Sequence, residues 1–175
     1  MTTQNNTLTF QPGETVVYPS HGVGVILAIE EQEVAGFKLK LFVITFDKDR
    51  LTIRIPLAKA KGSGLRKLSE PSTVEQALTI LATRGKAKRG MWNRRAAEYN
   101  ERLGTGQLTA IAEVLRDLNR SPAQDDASYS EQQIVETAMD FMSREIAAIR
   151  QITQSQAREL ITQSLAKAPH LGTAA

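Results

Sequence analysis

The spacing of apolar residues changes once along this chain, between residues 61 and 71, and that change limits the fold more than any other feature. From Gly13 to about Lys61 the period is two. Val23, Val25, Leu27 and Ile29 alternate with other residues, as do Leu51, Ile53 and Ile55, with Thr52 and Arg54 on the opposite face. Thr15–Tyr18 reads as a first strand closed by Pro19-Ser20-His21-Gly22, and Val34 with Gly36 marks a strand end and a tight turn. Phe37–Phe46 is a run of strand formers, apolar on both faces at its centre. Asp47-Lys48-Asp49 is a turn, and Pro56 ends the last strand. Four or five short strands packed this closely predict a small, strongly bent barrel of the SH3 or Tudor kind.

Beyond Pro71 the period becomes about 3.6. The expected helices start at Thr73, with Gln76 as its capping-box partner; at Trp92, ending at Leu103 before Gly104; at Thr105, with Leu108, Ile111, Leu115 and Leu118 inward; at Ser130, paired with Gln133; and at Thr153, paired with Gln156. The fold class is therefore α+β in two domains, a barrel followed by an all-α bundle. The expected boundaries are a flexible tail at 1–12, a barrel at 13–61, a linker at 62–71, a helical domain at 72–168 and a flexible tail at 169–175.

Several function classes lose their chemistry at once. The chain has no cysteine, so neither a thiol nucleophile nor a cysteine-bound zinc is available. His21 falls in a turn and His170 near the end, neither with a second ligand at metal spacing. Gly22-Val23-Gly24 lacks a third glycine and leads into a strand, unlike a phosphate-binding loop. Glu30, Glu31 and Glu33 read as a solvated cluster, whereas acid–base pairs need contrasting surroundings. No export signal is legible in Met1–Pro12, and the longest apolar run, near Leu41–Phe46, is too short to span a bilayer. The expectation is a soluble cytoplasmic binding protein with no cofactor, no metal and no catalytic activity.

Charge points to the partner. Net charge is +2 over residues 1–70, +4 over 71–120 and −3 over 121–175. The basic middle concentrates in Arg84–Arg95, where Arg84, Lys86, Lys88, Arg89, Arg94 and Arg95 occur without an acidic residue. Cations that reach phosphates release condensed counterions, so such a run suits a nucleic acid. The chain's single tryptophan, Trp92, lies inside it. An aromatic there can stack on bases or wedge between base steps. The spacing Trp92, Ala96, Tyr99, Leu103 is equally an apolar helical stripe that would bury the ring. Two readings stay open at this point, core and contact.

Val16-Val17-Tyr18-Pro19-Ser20-His21-Gly22-Val23-Gly24 with Ala28-Ile29-Glu30, then Leu51-Thr52-Ile53-Arg54-Ile55-Pro56, then Trp92-Asn93-Arg94-Arg95 with Leu103, then Ala112-Glu113-Val114-Leu115-Arg116-Asp117-Leu118 together resemble the CarD/CdnL family of bacterial RNA polymerase-binding transcription regulators. The likeness runs from about residue 10 to 165 in the family's order. It implies a Tudor-like domain, similar to the polymerase-interacting module of the transcription-repair coupling factor, that docks on the RNA polymerase β subunit. That role would fall on Arg54 and on the edge Glu31, Gln32, Glu33 and Val34. Gln32 stands where some relatives have a basic residue. The resemblance further implies a helical domain that contacts promoter DNA at the upstream edge of the −10 element with little base specificity. Trp92 would enter the minor groove, and Arg94 and Arg95 would touch phosphates. Ala96 and Ala97 replace an aromatic and a basic residue of some relatives, which shifts expected phosphate contact to Lys86, Lys88 and Arg89. The implied protein is a monomeric activator that stabilises the open promoter complex and joins the nucleoid through polymerase. An architectural nucleic-acid-binding protein without polymerase contact is the alternative that the residues themselves leave.

Overall fold

A computed structural model of the chain describes residues 10–86, 89–119 and 128–169. The chain divides after Leu68 into two compact units, one built on a sheet and one on helices. The sheet unit holds β1 (Thr15–Tyr18), β2 (Gly22–Val34), β3 (Phe37–Phe46), β4 (Leu51–Pro56), the short helix α1 (Leu57–Ala60) and β5 (Arg66–Lys67). Every pairing is antiparallel, in the order β4-β3-β2-β1-β5. Its core is Phe10, Val16, Ile26, Phe42, Ile44, Phe46, Ile55, Ala60 and Leu65. Phe10 meets Phe42 edge-on, with ring centroids 5.5 Å apart.

Four expectations for this unit need correction. Phe10 is fully buried and Gln11 N–H donates to Glu14 Oε2 at 2.9 Å, so order begins before the end of the expected tail; residues 1–9 lie outside the described residues. The stretch expected as a linker is folded. Lys61-Gly62-Ser63-Gly64 forms a turn in which Ser63 N–H donates to Lys59 O at 3.0 Å and Ser63 Oγ to Ala60 O at 2.6 Å. Leu65 then fills the core and β5 pairs with β1. Glycine and serine serve a tight turn here, a use that composition cannot separate from a flexible connection. The strands are also not all short, since β2 and β3 form a long hairpin through Ala35-Gly36. Both turn residues have positive φ, 52° and 81°, the backbone of a two-residue hairpin turn.

The alternation in β2 is the fourth correction. Gly24 and Ile26 are buried, while Val23 and Val25 are half-buried and Leu27 and Ile29 exposed. Two causes combine. Gly24 is the close-approach point: a Cβ there would lie 2.7 Å from the Phe46 ring and 2.9 Å from Thr45 O. Leu27 is then an extra residue between the pairs Ile26↔Ile44 and Ala28↔Val43. A one-residue bulge of this kind exchanges the two faces beyond it.

In the helical unit, α2 (Pro71–Leu81), α3 (Trp92–Gly104), α4 (Leu108–Asp117), α5 (Tyr129–Arg150) and α6 (Gln154–Ala166) share one core. α4 is central and packs on α2, α3 and α5, with Leu108, Ile111, Ala112, Val114 and Leu115 buried. Ser69 ties the start of the unit to α5, its N–H and Oγ–H donating to Glu145 Oε1 at 2.9 and 2.7 Å. No helix among the described residues is long and apolar enough to cross a membrane.

Only one expected capping box forms. Thr153 Oγ accepts from Gln156 N–H at 3.1 Å, and Gln156 Oε1 accepts from Thr153 N–H at 3.0 Å. α2 starts earlier, with Pro71 at its first turn and Glu70 as an N-cap without side-chain bonding. Gly104 is the last helical residue of α3, and Gln107 rather than Thr105 precedes α4. Ser128, not Ser130, caps α5, accepting from Glu131 N–H at 3.3 Å. Residues 170–175, most of the expected C-terminal tail, lie outside the described residues.

Gly24→Ala should lower the stability of the sheet unit by about 1–3 kcal/mol, the usual cost of overpacking. Hydrogen exchange would show it as lost protection in β2 and β3, with the amides of α4 and α5 unchanged.

Candidate functional site

The first candidate surface is the arm of the β2–β3 hairpin. β1 pairs with β2 only from Gly22 to Val25, and the segment before β1 extends this by one step, with Gly13 N–H donating to Ile26 O and Ile26 N–H to Glu14 O. From Ala28 to Val34, β2 pairs among the described residues with β3 alone. The N–H and C=O groups along its other edge are therefore placed to accept a further strand.

Register decides what each face of the arm offers. Directly paired residues share a face. Gln32 pairs with Leu39 and Val34 with Phe37, while Arg54 pairs with Val43, itself opposite Ala28. Arg54, Gln32 and Val34 therefore lie on one face, joined by Glu30, Phe37 and Leu39. Phe37 is 73% exposed and Val34 51%. Arg54 Nε donates to Glu30 Oε2 at 3.1 Å, and both side chains are about half open to solvent. Glu31 and Glu33, expected on the same surface, stand on the opposite face beside Lys40 and Lys38. The pairing thus gives one apolar face and one charged face. Phe37 and Leu39 join this candidate surface, which the strand-former reading missed although Phe37-Lys38-Leu39-Lys40 alternates strictly.

The second candidate surface surrounds the start of α3. Met91 precedes the helix without any side-chain cap and is 80% exposed. Arg84, Lys86, Arg89 and Arg94 are exposed; Lys88, also expected to touch phosphate, lies outside the described residues. The first-turn N–H groups of an uncapped helix add partial positive charge, so cations and helix start favour the same anionic ligand. Asp117, at the end of α4, fixes where the run begins. Its Oδ1 accepts from the backbone N–H of Lys86 and from Arg116 Nε, each at 2.9 Å. Gly85 permits that approach, because a Cβ there would lie 2.7 Å from Arg116 O.

Trp92 is half-buried, between the two readings that its sequence spacing allows. One side packs on the helical core, with the Tyr99 ring centroid 6.5 Å away. Its indole N–H donates to Ser130 Oγ on α5 at 2.7 Å. The Arg95 guanidinium lies over the ring at 5.3 Å from its centroid, a cation–π contact. Arg95 is correspondingly half-buried and its Nε is enclosed, so this side chain is turned toward Trp92 and Tyr99 rather than displayed like Arg94.

The Tyr99 hydroxyl is held above its ordinary pKa. Burial is the main cause and the Asp117 carboxylate adds to it, against the opposing pull of Arg95 and Arg102.

These features define a class, a two-module protein with an open strand edge on one module and a cationic helix start on the other. Residues 10–69 match the CarD-like/TRCF RID domain and residues 76–162 the CarD, C-terminal domain. A protein of Bacillus subtilis (strain 168) named "Putative transcription factor YdeB" is 32% identical over 148 residues, which cover 84% of this chain and 96% of its own length. The solution NMR structure of the 72-residue N-terminal domain of Myxococcus xanthus CarD is 36% identical, covering 34% of this chain and 79% of its own, with a TM-score of 0.30. The chain belongs to the CarD family.

Because the folded state holds the Tyr99 proton beyond the unfolded pKa of about 10, the stability it contributes is complete below that pH and is lost as pH rises through the folded value. Absorbance titration should show Tyr99 ionising above the ordinary tyrosine value of about 10, and Tyr99→Phe should remove this part of the alkaline destabilisation.

Proposed function

We propose that this protein is a transcription regulator that docks on the RNA polymerase β subunit through its sheet unit and stabilises the open promoter complex through the start of α3. The observation that carries the reading is Trp92, half-buried at an uncapped helix start whose exposed neighbours include Arg89 and Arg94. A wedge must be held from behind and open in front, and this ring has a packed side and a solvent side. Family membership supports the polymerase partner, as does the grouping of Arg54, Gln32 and Val34 beside a free strand edge.

The mechanism is a tethered preference. Docking of the arm by strand addition raises the local concentration of the basic segment at the promoter. Arg94, Arg89, Lys86 and Lys88 contact phosphates, which positions the module without reading bases. Trp92 enters the minor groove at the upstream edge of the −10 region, where the duplex is already distorted, so it binds the opened state better than the closed one. A preference of about 1.4 kcal/mol changes the closed-to-open ratio tenfold. Activation then falls on promoters whose open complexes are short-lived, and one copy of the protein acts per polymerase. No cofactor and no covalent step enters the scheme.

Trp92→Ala should keep β-subunit binding and abolish the lengthening of open-complex lifetime on a ribosomal RNA promoter, measured with purified polymerase after competitor challenge. Arg54→Glu should weaken capture of the β subunit by about tenfold or more, as expected for reversing a charge at an interface, and leave the melting of the helical unit unchanged. Undiminished β-subunit capture would sink the docking assignment.

A further inference from the structure

We infer that Ser130, at the start of α5, is a positioning residue for Trp92; the inference rests on the proposed role of that ring at the promoter. Indole nitrogen can only donate, so in the 2.7 Å contact the Ser130 oxygen is the acceptor. Ser130 keeps its own hydrogen, and Ser128 Oγ lies 3.2 Å away. Ser128 Oγ in turn accepts from Glu131 N–H at 3.3 Å as the α5 N-cap. A chain of hydrogen bonds thus runs from the Trp92 ring into the first turn of a helix 38 positions along the sequence.

The geometry gives this chain a purpose beyond cohesion. Tyr99 packs at one side of the ring and Arg95 covers a face, and neither contact is strongly directional. The Ser130 bond is directional and fixes how far the ring is rotated about its side-chain torsions. A ring held in one rotamer has already lost the freedom that insertion would otherwise remove, so it enters a gap at lower entropic cost. Loss of the Ser130 hydroxyl leaves the indole N–H near solvent, where water satisfies it, and the ring gains rotamers without the helix losing its cap. Alanine is also the better helix former, so Ser130→Ala does not weaken α5.

Because Trp92 is the only tryptophan, its fluorescence reports the ring directly. The full-length protein is compared with Ser130→Ala, which lacks the hydroxyl, and Ser130→Thr, which keeps it. In Ser130→Ala, time-resolved anisotropy should show faster local motion of the ring, and acrylamide quenching should rise. The gain in open-complex lifetime over polymerase alone should fall roughly fivefold, the population change that one neutral hydrogen bond sustains, with β-subunit capture unchanged. Ser130→Thr should restore both the anisotropy and the lifetime. Unaltered ring motion in Ser130→Ala would overturn the positioning role, as would altered motion with an undiminished lifetime gain. Trp92→Ala measured alongside separates the two ideas: if it retains the full lifetime gain, the promoter role of Trp92 fails and the inference fails with it. If Trp92→Ala loses the gain while Ser130→Ala keeps it, only the inference fails.

Discussion

The carboxylate of Asp117 is buried at the end of α4, and both the start of the basic run and the flank of α3 are arranged around it. A buried carboxylate is tolerated only with partners. Arg116 supplies one from the adjacent position, Arg102 of α3 approaches to 3.9 Å, and the Lys86 backbone N–H supplies another. Arg102 also reaches Glu113 at 3.0 Å. One charge on the central helix therefore lies beside the α3 guanidinium and pins the first residues of the basic run. The same charge acts on Tyr99, one turn deeper in α3, and Tyr99 is part of the floor beneath Trp92. The cationic surface is thus anchored from within, by a group that never reaches it.

In the sheet unit the corresponding constraint is the extra residue at Leu27. Before it, even-numbered residues of β2 face the core; after it, odd-numbered ones share that side. Without the exchange, Gln32 and Val34 would continue on the core side with Ile26, and Glu31 and Glu33 would lie with Arg54. With it, the arm presents Val34, Phe37 and Leu39 on the Arg54 face and stacks Glu31–Lys40 and Glu33–Lys38 pairs on the other. The arm thus has one charged face and one largely apolar face, beside a strand edge that is unpaired among the described residues.

Sequence patterning was most informative where the interaction is local. The strand-to-helix change of period, the Ala35-Gly36 turn, the Thr153–Gln156 capping box and the outward placement of Arg54 depend on residues a few positions apart, and each is present in the fold. It was least informative where two equivalent local choices compete. Ser128 and Ser130 are both fit to cap α5, and only the position of Trp92 gives Ser130 another partner. A Gly-Ser-Gly run suits a linker or a turn, and only the burial of Leu65 and the pairing of β5 decide for the turn.

By itself, the sequence determined that there would be a sheet module and a helical module, that cations would crowd around the single tryptophan, and that thiol chemistry was absent. These follow from composition and from periods of two and 3.6, which are properties of neighbouring residues. The tertiary structure alone decided which face of the arm carries Arg54, Gln32 and Val34, how far Trp92 is buried, and that Arg95 covers the ring while Arg94 is displayed. Those outcomes depend on a bulge that shifts register and on contacts between helices far apart in the chain. No local pattern encodes them, because each is settled by which distant group arrives to compete for the same atom.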